Sequence, residues 1–223
     1  MKPLEITTIA EYQQTAASFR EGTWNHDVSQ NRNALIAVLP RNPGRILDFG
    51  CGPGRDLVAF KALGHTVVGL DATPAFVQMA REALGLEETE NSPIASHQNQ
   101  VWQQNFLSLD LPTEYFDGIF ANASLLHVPH NEMTKVLGEL YRSLVPGGAI
   151  VMSLARGAGE GFIPRPTGER YTSYWELETI APHLEAAGFE ILDHYYRPPG
   201  LPRDQQSWVA IVARRSPNSS VQD

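Results

Sequence analysis

Glycines stand at positions 50, 52 and 54, directly after the apolar run Ile46-Leu47-Asp48-Phe49. Asp71 follows Gly54 by 17 residues and ends a second apolar run, Thr66-Val67-Val68-Gly69-Leu70. A turn built from glycines has no Cβ to keep a ligand away from the backbone. A carboxylate at the end of the next strand can accept hydrogen bonds from both hydroxyls of a ribose. Together these residues predict a nucleoside-bearing ligand held at the strand ends of an open α/β sheet.

Two glycine patterns compete for this stretch. The dinucleotide pattern G-x-G-x-x-G reserves its third glycine for the position that Arg55 occupies here, and Gly54 comes one residue early. The run Asp48-Phe49-Gly50-Cys51-Gly52-Pro53-Gly54 resembles instead motif I, D-x-G-C-G-x-G, of the class I S-adenosylmethionine-dependent methyltransferases. The resemblance covers roughly residues 44–155. Phe116-Asp117-Gly118-Ile119-Phe120 is similar to the family's fourth-strand motif, and Leu144-Val145-Pro146-Gly147-Gly148-Ala149 to its L-x-P-G-G motif.

That resemblance implies S-adenosyl-L-methionine as cofactor and S-adenosyl-L-homocysteine as product. It places Gly50, Cys51 and Gly52 beside the methionyl part, with Asp48 orienting the turn and meeting the ammonium. Gly54 opens the helix whose free N–H groups point at the pocket. Asp71, followed by Ala72, holds the ribose. Asn105 stands where the family usually has an acidic residue for the adenine amine, and Phe106 packs on the ring or in the core. Asn122, Ser124 and His127 follow the fourth strand and run past the sulfonium. His127 reads either as a general base or as a residue packing against the cofactor or capping the next helix. Before the first strand, Tyr12 and Arg20 are expected near the methionyl carboxylate and Trp24 over the adenine or the acceptor. His26 and Asp27 either bind or deprotonate a substrate, or Asp27 caps the following helix.

Elements must position these groups. Strands are expected at 45–49, 66–70, 101–106, 116–121 and 149–154, and helices near 55–64, 74–85 and 131–144. Thr73-Pro74 reads as a helix start. Such alternation predicts a Rossmann-like, mostly parallel seven-stranded sheet with helices on both faces. A helix near 175–187, a strand from Phe189, a Pro-rich turn at 198–202 and a strand at 207–214 predict a terminal antiparallel hairpin. Helices near 9–20 and 29–39 make residues 1–44 a lid on the same domain, which runs over 45–214. Residues 215–223 form a polar tail. The segment 156–174, rich in Gly, Arg and Tyr, reads as a long loop over the acceptor pocket, its arginines facing an anionic acceptor or solvent.

Composition narrows the function. The 223 residues are 42% apolar and 19% charged, with a formal net charge of −8. An acidic chain lacks the broad basic surface expected of a nucleic-acid binder. No apolar run approaches a membrane span, and Met1-Lys2-Pro3-Leu4-Glu5 has no signal-peptide core. One cysteine excludes an internal disulfide and fits a cytoplasmic protein. No cluster has metal-ligand spacing. The expected activity is methyl transfer to an oxygen, nitrogen or chalcogen atom of a small molecule. A non-catalytic S-adenosylmethionine-binding protein and a protein or nucleic-acid methyltransferase stay open, as does the oligomeric state.

Overall fold

The computed structural model describes residues 4–86 and 98–216. Helices α1 (Leu4–Thr23) and α2 (Ser29–Val38) precede β1 (Arg45–Phe49). There follow α3 (Arg55–Ala62), β2 (Thr66–Asp71), α4 (Pro74–Leu84), β3 (Gln100–Gln103) and β4 (Phe116–Asn122). After a 3-10 turn at Leu125–His127 come α5 (His130–Ser143), β5 (Leu144–Ala155), β6 (Glu160–Arg165) and β7 (Gly168–Ser173). The chain continues through α6 (Leu177–Ala186), β8 (Phe189–Arg197) and β9 (Trp208–Arg215).

Seven strands form one sheet in the order β3-β2-β1-β4-β5-β9-β8. The first five are parallel, and β9 runs antiparallel to both β5 and β8. The central strands are mostly apolar because helices cover both faces. Leu47 and Phe49 point to the side of α5 and α6, where Val136, Leu140, Ile180 and Leu184 meet them. Ile46 points the other way, toward Leu35 of α2, Phe60 of α3 and Val77 of α4. From β1 the chain moves outward to β2 and β3, then returns to place β4 on the other side of β1. This reversal opens a crevice at the carboxyl ends of β1 and β4, where ligands of open α/β sheets bind.

Three segments differ from the sequence expectation. Strand β3 ends at Gln103, not at 106, because Asn105 starts a turn: its Oδ1 accepts from Leu107 N at 2.9 Å and its carbonyl from Ser108 N at 3.1 Å. Strand β5 begins at Leu144, so the Pro-Gly-Gly run lies within it. The expected loop at 156–174 is a ribbon, β6 paired antiparallel to β7 from Glu160↔Ser173 to Arg165↔Gly168. Its exposed, glycine-rich strands carry little of the apolar alternation that marks a half-buried strand.

Helix α1 lies across this ribbon. Buried Glu11 pairs with Arg170 and accepts from Thr167 Oγ1 at 2.8 Å, while Thr8 Oγ1 accepts from Tyr171 N at 2.9 Å. Of the expected tail, 217–223 lies outside the described residues, whereas Arg215 is buried in β9 and pairs with Glu114 at 2.6 Å. No helix among the described residues is long and apolar enough to cross a membrane.

Candidate functional site

A cavity of about 740 Å³ sits at the carboxyl ends of β1, β2, β4 and β5, between α1, the loop after it and the β6–β7 ribbon. Its floor is the glycine turn. Gly50 N and Cys51 N both donate to Leu70 O, at 2.7 and 3.0 Å, which locks the turn to the end of β2. Gly50 has φ 76°, and a Cβ there would lie 2.3 Å from the Ser124 Cβ. Only glycine meets both demands.

Asp71 closes the same turn. Its two oxygens accept from Gly52 N at 3.0 Å and Thr73 N at 2.8 Å. Burial pushes its carboxyl up, and those N–H groups, with the Thr73 hydroxyl, pull it back. Thr73 therefore stands at the start of α4 without capping it; its hydroxyl serves Asp71. Asp48 is buried as well, and its Oδ2 has no hydrogen-bond partner among the described residues. Burial, followed by the nearby Asp56 charge, drives the Asp48 carboxyl well above the usual range. Asp56 itself is neutralised by Arg32 and Arg55, each at 2.6 Å. An unpartnered buried carboxylate beside a glycine turn fits a ligand that brings positive charge. The Cys51 thiol, pushed up by burial and by Asp71 and Asp48, stays protonated and is no nucleophile.

Ala72, Asn105 and Phe106 line the cavity beside Asp71, and Phe106 packs on Phe49 with ring centroids 4.3 Å apart. Asn122 lines it at the end of β4. Asn122 Oδ1 accepts from Asn31 Nδ2 at 2.8 Å, and Asn31 Oδ1 accepts from Tyr195 OH at 2.8 Å. Fully buried Asn31 thus carries the orientation of Asn122. Nothing in the polar run Ser29-Gln30-Asn31-Arg32-Asn33 distinguishes it from its solvated neighbours.

His127 has both ring nitrogens engaged. Nδ1 lies 2.6 Å from the Tyr171 carbonyl, which can only accept, so Nδ1 carries the proton. Nε2, 3.0 Å from Tyr12 OH, then accepts from the phenol. Burial, with help from the Arg170 and Arg165 charges, lowers the His127 pKa to about 4. The imidazole is neutral and its lone pair is occupied. His26, by contrast, is exposed at the cavity mouth.

Not every expected residue reaches the cavity. Arg20 and Trp24 do not line it; they stack on each other, with the Arg20 guanidinium 4.8 Å from the ring centroid. Thr8, Tyr12, Phe19 and Thr23 share the inward face of α1, which turns Arg20 away, and Trp24 follows the end of that helix. Tyr12, Phe19 and Phe76 form an aromatic wall with centroids 5.2–5.5 Å apart, of which the sequence points only to Tyr12. Gly54 also lies off the cavity. A Cβ there would sit 2.9 Å from the Ala80 Cα, so this glycine lets α3 pack against α4. Asp27 lines the mouth, and its carboxylate accepts from Ser29 N at 2.9 Å. Arg165, Arg170, Thr172 and Tyr174 from the ribbon complete the far wall, with Arg197 and Trp208 from the terminal hairpin.

Residues 47–152 match the family model for a methyltransferase domain. A trans-aconitate 2-methyltransferase of Paracidovorax citrulli is 32% identical over 123 residues, which is 54% of this chain and 42% of the relative. A demethylmenaquinone methyltransferase of Thermus thermophilus is 34% identical over 131 residues, 56% of this chain and 54% of the relative. The chain spans about half the length of these curated relatives. Among solved structures, the 1,6-didemethyltoxoflavin-N1-methyltransferase of Burkholderia thailandensis, with its bound substrate and S-adenosylhomocysteine, shares the fold. It superposes at a TM-score of 0.68 and 23% identity, covering 93% of this chain and 87% of that one. The glycine turn and the Asp71 carboxylate lie within the segment that matches, so residues 47–152 form a methyltransferase domain set in a seven-stranded sheet.

Proposed function

We propose that the protein transfers the methyl group of S-adenosylmethionine to a small-molecule acceptor. The observation that carries this reading is Asp48, a buried carboxylate with an unpartnered oxygen beside the Gly50–Gly52 turn and Asp71. A ligand with an ammonium, a sulfonium and a ribose satisfies all three features. Asp48 meets the ammonium side, the backbone of Gly50, Cys51 and Gly52 runs along the methionyl chain, and Asp71 with Ala72 holds the ribose. Asn105 and Phe106 receive the adenine. Asn122, fixed by Asn31, faces the sulfonium, and α1 acts as the lid.

The cofactor supplies a methyl group already bound to a good leaving group. An acceptor lone pair forms the new bond to the methyl carbon while the S–C pair stays on sulfur, and any proton on the acceptor passes to solvent. The protein's share is alignment and exclusion of water. A neutral His127 held by Tyr12 suits a positioning role in the pocket wall, and His26 at the mouth is the candidate with an accessible ring. A cavity of about 740 Å³ lies within the range of small-ligand sites, and α1 and the ribbon wall it in, which favours a small acceptor over a macromolecule. Two relatives are named for small acceptors, trans-aconitate and demethylmenaquinone.

The test is calorimetric titration with S-adenosylhomocysteine, followed by mass-spectrometric detection of S-adenosylhomocysteine formed from S-adenosylmethionine with a metabolite extract. Binding with acceptor-dependent product supports the reading. Absence of binding by a folded protein rejects it.

A further inference from the structure

The cavity is polarised. Its lining carboxylates, Asp27, Asp48, Asp56 and Asp71, all come from the loop after α1 and from the β1–α3–β2 side. The ribbon wall opposite carries guanidinium groups and hydroxyls. Four arginines line the cavity, and three are committed. Arg55 pairs with Asp56, Arg170 with Glu11, and Arg197 donates to the Asp27 carbonyl at 3.0 Å. Arg165 has neither an ion pair nor a hydrogen bond among the described residues. Its charge nonetheless reaches the pocket interior, since it disfavours protonation of His127.

The Arg165 backbone is also held in place, while its side chain is exposed and within electrostatic reach of the Glu11 carboxylate that Arg170 pairs with. Arg165 lies between Pro164 and Pro166, whose rings restrict the backbone on both sides. It ends β6 opposite Gly168, and the neighbouring Thr167 hydroxyl is bonded to Glu11 of α1 at 2.8 Å. A guanidinium that lines a cavity with no ion pair or hydrogen bond among the described residues is suited to bidentate capture of a carboxylate. One guanidinium without an ion pair matches one negative charge better than a dianionic phosphate. Beside the cofactor position the Cys51 thiol is protonated and both His127 nitrogens are occupied, and an acceptor that is already ionised needs neither as a base.

Resting on the methyltransferase reading above, we infer that the acceptor is a small organic acid whose carboxylate is anchored by Arg165. An ionised acid meets the unpaired guanidinium and is drawn toward a cationic cofactor.

The experiment uses the full chain with S-adenosylmethionine and a panel of small mono-, di- and tricarboxylic acids. Their neutral amides, phosphate monoesters, phenols and amines serve as comparators. S-adenosylhomocysteine formation is read by mass spectrometry, and binding of each compound to the protein–S-adenosylhomocysteine complex by calorimetry. Acids should bind and turn over where their amides do not. Arg165→Gln should raise KM for the acid tenfold or more with kcat changed less. Its Kd for S-adenosylhomocysteine should stay within twofold of the parent's, and Arg165→Lys should recover part of the loss. Turnover of neutral, cationic or phosphorylated acceptors in preference to acids overturns the inference and leaves the methyltransferase reading standing. So does a panel in which no acid binds the complex. Loss of S-adenosylhomocysteine binding in the parent protein overturns the underlying reading instead.

Discussion

Tyr12 in α1 and His127 after β4 are separated by 115 residues and joined by a 3.0 Å hydrogen bond. The bond fastens α1 to the 3-10 turn beside the cavity. Because Nδ1 is committed to the Tyr171 carbonyl, the phenol donates to Nε2. The Arg170 guanidinium stacks on the other side of Tyr12, 3.9 Å from its ring centroid, and pairs with Glu11. Four side chains from α1, the 3-10 turn and the ribbon therefore form one connected unit.

Tyr12→Phe removes the phenol donor and leaves the Nε2 lone pair without it. Unfolding free energy should fall by roughly 0.5–1.5 kcal/mol. The effect should shrink sharply in a His127→Gln background, because both changes break one bond. Chemical denaturation of the four proteins measures this; strictly additive losses would show that the two side chains do not interact in solution.

A second consequence concerns pH. His127 has a folded pKa of about 4 against an ordinary 6.5, so between these values the unfolded chain binds a proton that the fold excludes. Stability is full above pH 6.5 and is lost as pH falls toward 4, by up to about 3 kcal/mol from this group. Buried Asp48 and Asp71 act with the opposite sign, since a raised carboxyl favours the fold as pH falls. The two effects separate in the difference between parent and His127→Gln. That stability difference should narrow as pH drops from 7 to 4. A difference independent of pH would mean that His127 is not held neutral.

Legibility followed range along the chain. The glycine turn, Asp48 and Asp71 stand within 24 residues and announce themselves by type and spacing. The parallel sheet was readable because apolar strands alternate with helical segments. Gly54 opens α3 as the motif implies, but the approach of Ala80 from another helix, which also requires glycine there, is encoded by no local pattern. Arg20 and Trp24 have the chemistry of pocket residues, but they stack on each other away from the cavity, which only the end and phase of α1 decide. Asn31 and the aromatic partners of Tyr12 gain their roles only through contacts across the fold. The ribbon was hidden because half-exposed, glycine-rich strands lack an apolar face. Its arginines were noticed, but only the ion pairs of the folded chain separate Arg165 from Arg170.

Asp71→Ala should weaken S-adenosylhomocysteine binding by tenfold or more. It removes the carboxylate and also strands the Gly52 and Thr73 N–H groups that shape the turn. Asp71→Asn keeps one acceptor oxygen and should lose less. Calorimetry measures both, with a thermal melt to confirm folding. Equal affinity in a folded Asp71→Ala protein removes Asp71 from the cofactor site.

The last prediction turns on Asp48. Burial and the Asp56 charge favour its protonated form, whereas a cationic ligand beside it favours the ionised one. Binding should therefore expel a proton at pH values above the ordinary carboxylate range, and affinity should fall as pH falls through that window. Calorimetry of S-adenosylmethionine in buffers of different ionisation enthalpy counts the proton released. Asp48→Asn should abolish most of that release and weaken binding, because the amide cannot carry the negative charge. S-adenosylhomocysteine lacks the sulfonium charge but keeps the ammonium. Similar proton release with both ligands would place Asp48 at the ammonium, and release confined to S-adenosylmethionine would place it at the sulfonium. No release with either ligand would remove Asp48 from the cofactor site and return it to a purely structural role in the turn.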